Sequence, residues 1–140
     1  MKFKKIALIV LTFSVILSVG IALSGCLKAK PVSIENIILS GSVDANGNPT
    51  AESGNFNVGI KEIYLVIKLS NMKNTDNISV KWTYLDKGLE IDSKSFTPEN
   101  EFTGNKIFKI KISQGFPYGN YEVRAFLNGT HIKTIPFKVN

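Results

Sequence analysis

Cysteine, histidine and tryptophan each occur once in these 140 residues, at Cys26, His131 and Trp82. A single cysteine excludes a disulfide within the chain, so an apolar core must hold the fold together. One histidine and one cysteine leave too few donors for an ordinary zinc site. A Ser-His-Asp arrangement would need His131 in a cleft with an orienting acid. It lies instead beside an Asn-Gly turn and basic Lys133, which reads as a solvated strand position. Convincing helical periodicity and internal repeats are missing after Cys26. Charge of one sign is scarce too. The 17 basic residues against 11 acids give +6, but three of the lysines crowd positions 2 to 5. Residues 31–140 hold 12 basic and 11 acidic side chains, giving a nucleic-acid partner no concentrated basic face. Nothing implies a cofactor or an enzymatic activity.

The one long apolar run opens the chain. Lys2, Lys4 and Lys5 precede Ile6 to Leu23, 18 residues without a charge. The run stops at Leu23-Ser24-Gly25-Cys26: an aliphatic residue, two small residues, then the sole cysteine. These four residues resemble the lipobox of a prokaryotic membrane lipoprotein. That resemblance implies cleavage before Cys26, a diacylglycerol-type lipid on the Cys26 thiol, and attachment to the extracytoplasmic face of the cell membrane. The membrane is then a partner through the lipid. The alternative is an uncleaved spanning anchor, for which a bilayer asks roughly 20 apolar residues. Both readings put the residues after 26 outside the cytoplasm. The expected organisation is a signal peptide over 1–25, a lipidated cysteine and tether over 26–31, and one domain over 32–140. Lys28 and Lys30, in the tether, suit anionic headgroups. Leu27 stands where some bacterial lipoproteins carry an aspartate that retains them at the inner membrane, so the membrane layer and the bacterial or archaeal lipid stay open.

After the tether, the pattern is of strands separated by turn residues. The alternation predicts strands over Val32–Leu39, Ile60–Leu69, Ile78–Tyr84, Leu89–Phe96, Ile107–Ile112, Tyr121–Leu127 and Ile132–Val139. Leu89–Phe96 is the most polar and is expected at an edge. Gly41–Asn55, rich in Gly, Asn, Asp, Ser and Pro, is expected to be a loop. Asn128-Gly129 marks a two-residue hairpin that pairs Leu127 with Thr130 and Ala125 with Ile132. Carried on, that register turns Phe137 and Val139 outward, so a bulge is expected near Lys133–Pro136 to bring them back inside.

About seven antiparallel strands in some 110 residues describe an all-β sandwich. Trp82, in mid-strand, falls where immunoglobulin-like folds bury a tryptophan between sheets. Gly119-Asn120-Tyr121-Glu122-Val123 resembles their tyrosine corner, with Val123 where antibody domains carry a cysteine. The resemblance implies a Tyr121 hydroxyl bonded to backbone between Gln114 and Pro117, and Val123 packed against Trp82. The layout from Phe56 to Phe137-x-Val139 is similar to immunoglobulin-like domains of secreted prokaryotic lipoproteins, a likeness of fold that carries no activity.

Four further patterns invite chemistry. Asp44, Asn46, Asn48 and Glu52 put oxygens at alternate positions of a turn-rich loop, as a calcium site would, although Pro49 and the glycine position depart from an EF-hand. Phe116-Pro117-Tyr118, with Tyr64 and Phe126 on outer faces, offers rings on which a sugar could stack. The competing reading has Phe116 plugging the sandwich and the other two covering neighbouring strands. Asn77-Ile78-Ser79 and Asn128-Gly129-Thr130 match the N-glycosylation acceptor pattern. The function expected from all this is a lipid-anchored binding or structural module with an extracytoplasmic protein or glycan partner, or else a carbohydrate- or calcium-binding accessory protein. A bare polar surface with one sticky edge strand would favour a protein partner.

Overall fold

Period-two alternation builds eight strands in the computed structural model, which describes residues 28–140. The expected signal peptide, the lipobox-like residues 23–26 and the expected lipidation at Cys26 lie outside the described residues. The strands are β1 (Ser33–Ser40), β2 (Asn55–Phe56), β3 (Glu62–Met72), β4 (Ile78–Tyr84), β5 (Leu89–Phe96), β6 (Phe102–Lys111), β7 (Gly119–Leu127) and β8 (Thr130–Val139). They form a three-stranded sheet in the order β1-β3-β6 and a five-stranded sheet in the order β2-β8-β7-β4-β5. Seven strands pair antiparallel, as expected. The eighth is a correction: β2 ends the expected Gly41–Asn55 loop early and pairs parallel with β8, Phe56 opposite Val139. A short 3-10 turn, Leu85–Lys87, joins β4 to β5.

The core lies between the sheets. Ile63, Leu65, Ile67 and Leu69 of β3 are fully buried, as their alternation predicts. Each contributes about 1.5–3 kcal/mol before the entropy of ordering the chain is set against it. From the facing sheet come Ile78, Val80 and Trp82, then Tyr121, Val123 and Ala125, then Phe137 and Val139. Val123 is the cross-strand partner of Trp82, and the Trp82 ring meets Phe137 edge-on at 6.1 Å. The Trp82 indole N–H has no protein acceptor.

Phe137 and Val139 do reach the core, but the phase shift falls earlier than expected. Leu127 faces Thr130 and Phe126 faces His131, whereas Ala125 faces Lys133 rather than Ile132. Ile132 is therefore the extra residue, and it still packs half-buried against the core. The same device extends β3. Its register breaks between Leu69 and Met72, so both side chains turn inward.

The Gly41–Gly54 connection is not a free loop. Val43 bridges Pro49, and the turn between them lies on the outer face of the three-stranded sheet. Beneath it, Ile38, Val66 and Ile107 make an aliphatic row across the three strands. Val66 is 3% exposed despite its outward phase. Gly47 sits at a φ of 78°, which favours glycine, and a methyl group there would come within 2.9 Å of the tip of the Ile107 side chain.

Candidate functional site

Antiparallel strands give the sandwich two unlike ends. The described chain enters β1 beside the end of β3, Ser33 opposite Ser70, and this near end carries the β3–β4 and β5–β6 connections and the Asn128-Gly129 turn. The far end lies about 35 Å away along the 11 residues of β3. It gathers the 3-10 turn, the β6–β7 connection and the last residues of β8.

Tyr121 organises the far end. Its ring stacks between Tyr84 at 4.6 Å and Phe137 at 5.1 Å, with Phe116 edge-on at 5.7 Å. Its hydroxyl donates to the Pro117 carbonyl at 2.7 Å, inside the stretch expected for a tyrosine corner. Burial, reinforced by neighbouring Tyr84 and Asp86, pushes that hydroxyl up to about 12. The Tyr84 hydroxyl donates to the Tyr118 carbonyl at 2.9 Å. Asp86 accepts from the side-chain amide of Asn120 at 2.9 Å and from its backbone N–H at 3.0 Å, and these bonds hold its carboxyl below the usual range. Together they pin the 3-10 turn onto β7. Gly119 makes this approach possible: its φ is 148°, and a Cβ there would lie 2.6 Å from the Tyr84 ring.

Clefts open on either side of Tyr121. One, about 450 Å³, runs between Leu85, Asn120, Pro136 and Lys138, and a smaller hollow bordered by Tyr118 and Asn140 shares its Asn120 and Lys138. The other, about 300 Å³ and mostly apolar, is walled by Tyr84, Leu89, Ile91, Ile112 and Pro117, with Lys87 at its margin. The exposed large hydrophobic side chains among the described residues are Val58, Leu85, Leu89 and Tyr118. All four belong to segments at the far end.

No family model matches the chain, and no curated protein matches it in sequence. Among solved structures, an immunoglobulin-like protein from Pseudomonas aeruginosa superposes with a TM-score of 0.57 at 10% identity, over 81% of this chain and 99% of that one. The fold is immunoglobulin-like. Two looser overlaps are an alkylpurine DNA glycosylase from Pseudomonas fluorescens bound to DNA with an abasic-site analogue, and the sensor domain of an anti-sigma factor from Pseudobacteroides cellulosolvens. Their TM-scores are 0.47 and 0.44 and their identities 14% and 13%. They cover 78% and 76% of this chain, which spans 30% of the first structure's chain and 89% of the second's. Likeness at this identity carries fold and no activity.

Within the immunoglobulin-like frame, the residues singled out from sequence scatter. Asp44 turns its carboxylate inward on its own loop: one oxygen accepts from the N–H groups of Asn46 and Asn48, the other from the Asn48 side chain. Those bonds, the Asn48 N–H foremost, hold its carboxyl below the usual carboxylate range. Asn48 meanwhile accepts from Asn105 at 2.9 Å, which ties the turn to β6. Both Asp44 oxygens are thus engaged within the turn, and Asn48 clamps that turn onto the sheet. No group of three or more His, Cys, Asp or Glu side chains suited to a metal occurs among the described residues.

His131 is exposed, bonded to Thr134 and set against Phe126. Phe116 is buried, Tyr64, which donates to Glu62 at 2.6 Å, and Phe126 are half-buried, and Tyr118 is the one fully exposed ring of the expected set. Asn77 and Asn128 share a near-end network. The Asn128 side chain accepts from the Asn77 N–H and donates to Asp76, while the Asn77 side chain donates to Thr97.

The open sides of the sandwich are guarded. On edge strand β5, Asp92 and Lys94 are the register partners of Trp82 and Val80 and so share their inward face. They pair at 3.0 Å, and Lys94 donates to the Lys109 carbonyl of β6. Lys106 of β6 lies 3.9 Å over the Phe96 ring. On the opposite side, Lys133 reaches the Ile37 carbonyl of β1. Inward charges and blocked carbonyls are how sheets resist a further strand. The far-end residues Leu85, Lys87, Leu89 and Lys138 escaped the sequence reading, because their exposure depends on how the 3-10 turn folds back.

Proposed function

We propose that the chain is a lipid-anchored, extracytoplasmic binding module, held to the membrane through Cys26, that meets its partner with the far end of the sandwich and catalyses nothing. The observation that carries this is the gathering of Val58, Leu85, Leu89 and Tyr118 at the end opposite the tether. Exposed apolar side chains clustered in one place mark an interaction site, whereas scattered ones need no explanation. Lipobox residues Leu23 to Cys26 supply the anchor in this reading, and the short tether then turns the near end to the membrane and the clefts outward. A protein partner is favoured over a glycan, since Tyr118 alone offers a fully exposed ring and a stacking row would need more. Strand addition is disfavoured by the guarded edges.

A photo-crosslinking side chain at position 118 or 89, set against one at position 74 in the near-end β3–β4 connection, tests this on intact cells. Discrete adducts are expected from 118 and 89 and none from 74. Adducts from 74 alone would overturn the orientation, and none from any position would overturn the binding module.

A further inference from the structure

We infer that Asn128 is a site of spontaneous deamidation, and that the reaction undoes a latch holding the Asn128-Gly129 turn to the β3–β4 connection. This goes beyond the binding-module reading and does not rest on it.

The latch is made largely by side chains. The Asn77 N–H donates to Asn128 Oδ1 at 2.7 Å, and Asn128 Nδ2 donates to Asp76 Oδ1 at 3.0 Å. The other Asp76 oxygen accepts from the Lys73 N–H at 2.9 Å. One carboxylate thus closes the connection on itself and fastens the hairpin to it. The backbone adds the Asn128 N–H on the Asn77 carbonyl at 2.8 Å.

Deamidation requires the backbone nitrogen of the next residue to reach the side-chain amide carbon, and glycine puts no side chain in the way. The sequence holds two such pairs, Asn46-Gly47 and Asn128-Gly129, and the structure separates them. The Gly47 N–H donates to the Asp44 carbonyl at 3.0 Å, and the residue lies against the tip of Ile107. Asn46 is exposed, yet its nucleophile moves only if the turn lifts off the sheet. At the hairpin the restraint is reversed. The Gly129 N–H donates to no acceptor among the described residues, and nothing lies within 4 Å of where a Cβ would sit. Only the Asn128 side chain is held, by two exposed bonds, and such bonds open in an appreciable share of molecules.

Once the amide is unlatched, the Gly129 nitrogen gives up its proton and attacks Asn128 Cγ. A C–N bond forms, the Cγ–Nδ2 bond breaks, and ammonia leaves a cyclic imide. Water opens the imide at either carbonyl, giving aspartate or isoaspartate, with no change of oxidation state. Neither product can latch again. A carboxylate stands where Nδ2 donated to Asp76, and two carboxylates at that separation repel. Isoaspartate also adds a carbon to the backbone of the turn, whose φ angles of 50° and 79° suit a two-residue hairpin. The change is one-way, and it frees the β3–β4 connection at the near end.

The test ages the mature, detergent-solubilised chain in mildly alkaline buffer and follows the tryptic peptide Ala125–Lys133 by mass spectrometry, beside the same peptide made synthetically. Each conversion exchanges NH for O, and isoaspartyl methyltransferase marks the isoaspartate share. The folded chain should convert at Asn128 roughly five- to a hundredfold more slowly than the free peptide, the factor set by opening two exposed hydrogen bonds. Asn46 should stay intact in the same samples. Asp76→Ala should speed conversion at Asn128 roughly two- to tenfold. Asn128→Asp should quicken amide exchange at Lys73 and Asn77, and adding Asp76→Asn, which again sets an amide against a carboxylate, should slow it back. A rate roughly a thousandfold or more below the free peptide overturns the inference, as does Asn46 converting as fast as Asn128. Exchange in Asn128→Asp that matches wild type overturns it too, since the latch would then survive the reaction.

Discussion

Replacing Tyr121 by Phe keeps the stacked ring and removes one hydroxyl, so its effect isolates the tyrosine corner. At neutral pH the loss is a single hydrogen bond, the 2.7 Å contact to Pro117. Such a bond contributes about 0.5–1.5 kcal/mol. Pro117 is itself exposed, so water can take over the orphaned carbonyl and the larger penalty of a buried orphan does not apply. At high pH the sign reverses. The folded state holds the Tyr121 proton up to about 12, against an ordinary tyrosine value of 10.0, because the buried phenolate is disfavoured. A raised value means the folded state binds the proton more tightly. Its stabilisation is therefore complete below pH 10 and is lost as pH climbs through 12, by about 2–3 kcal/mol. Wild type should be the more stable protein at pH 7 and the less stable at pH 12, the two curves crossing between. Urea melts of both proteins at intervals from pH 7 to 12 measure this, and the lysines they share cancel in the difference. A gap that is absent at pH 7, or constant from pH 9 to 12, would refute the reasoning.

Three other substitutions probe separate links. Trp82→Ala should cost about 3–5 kcal/mol in urea melts, since it empties the centre of the core; a loss well below this would mean the ring is not the packing unit it is taken for. Gly119→Ala should cost about 1–3 kcal/mol from backbone strain alone, with more from the collision with Tyr84, and should free the 3-10 turn to exchange its amides faster; a wild-type melt would contradict the close approach. Lys94→Ala should leave the melt within about 1 kcal/mol, because its partner Asp92 is partly solvated, yet should raise self-association in sedimentation as edge β5 loses its guard. Monomer at every concentration would remove the guarding role.

Strand phase was legible wherever a strand is long and one face is dry. Ile63 to Leu69 and Ile78 to Trp82 needed only alternation, and Gly119-x-Tyr121 carried its corner in three residues. The bulge was legible as a necessity, since Phe137 and Val139 had to be inside, but not in position. Ile132 can be the extra residue because it still finds partial cover, a packing fact that no local pattern contains. The covering turn over β3 had a signal that single strands hide. Ile38, Val66 and Ile107 each look like an isolated outward aliphatic, and only the register lines them into a row that requires a lid. The clefts were the least legible part. They arise where the 3-10 turn, the β6–β7 connection and β8 converge, and Lys87 and Lys138 are ordinary surface lysines until that convergence places them around Tyr121.

The account turns on a tethered domain, and the tether is measured most directly on Cys26. Intact mass and detergent partitioning of the protein from its own membranes, compared between wild type and Cys26→Ser, decide it. Wild type should enter the detergent phase as a chain beginning at Cys26 with added lipid mass, and Cys26→Ser should accumulate as the unlipidated, uncleaved precursor. Identical processing and partitioning of the two, without lipid mass on wild type, would contradict the anchor and return Ile6–Leu23 to a spanning segment.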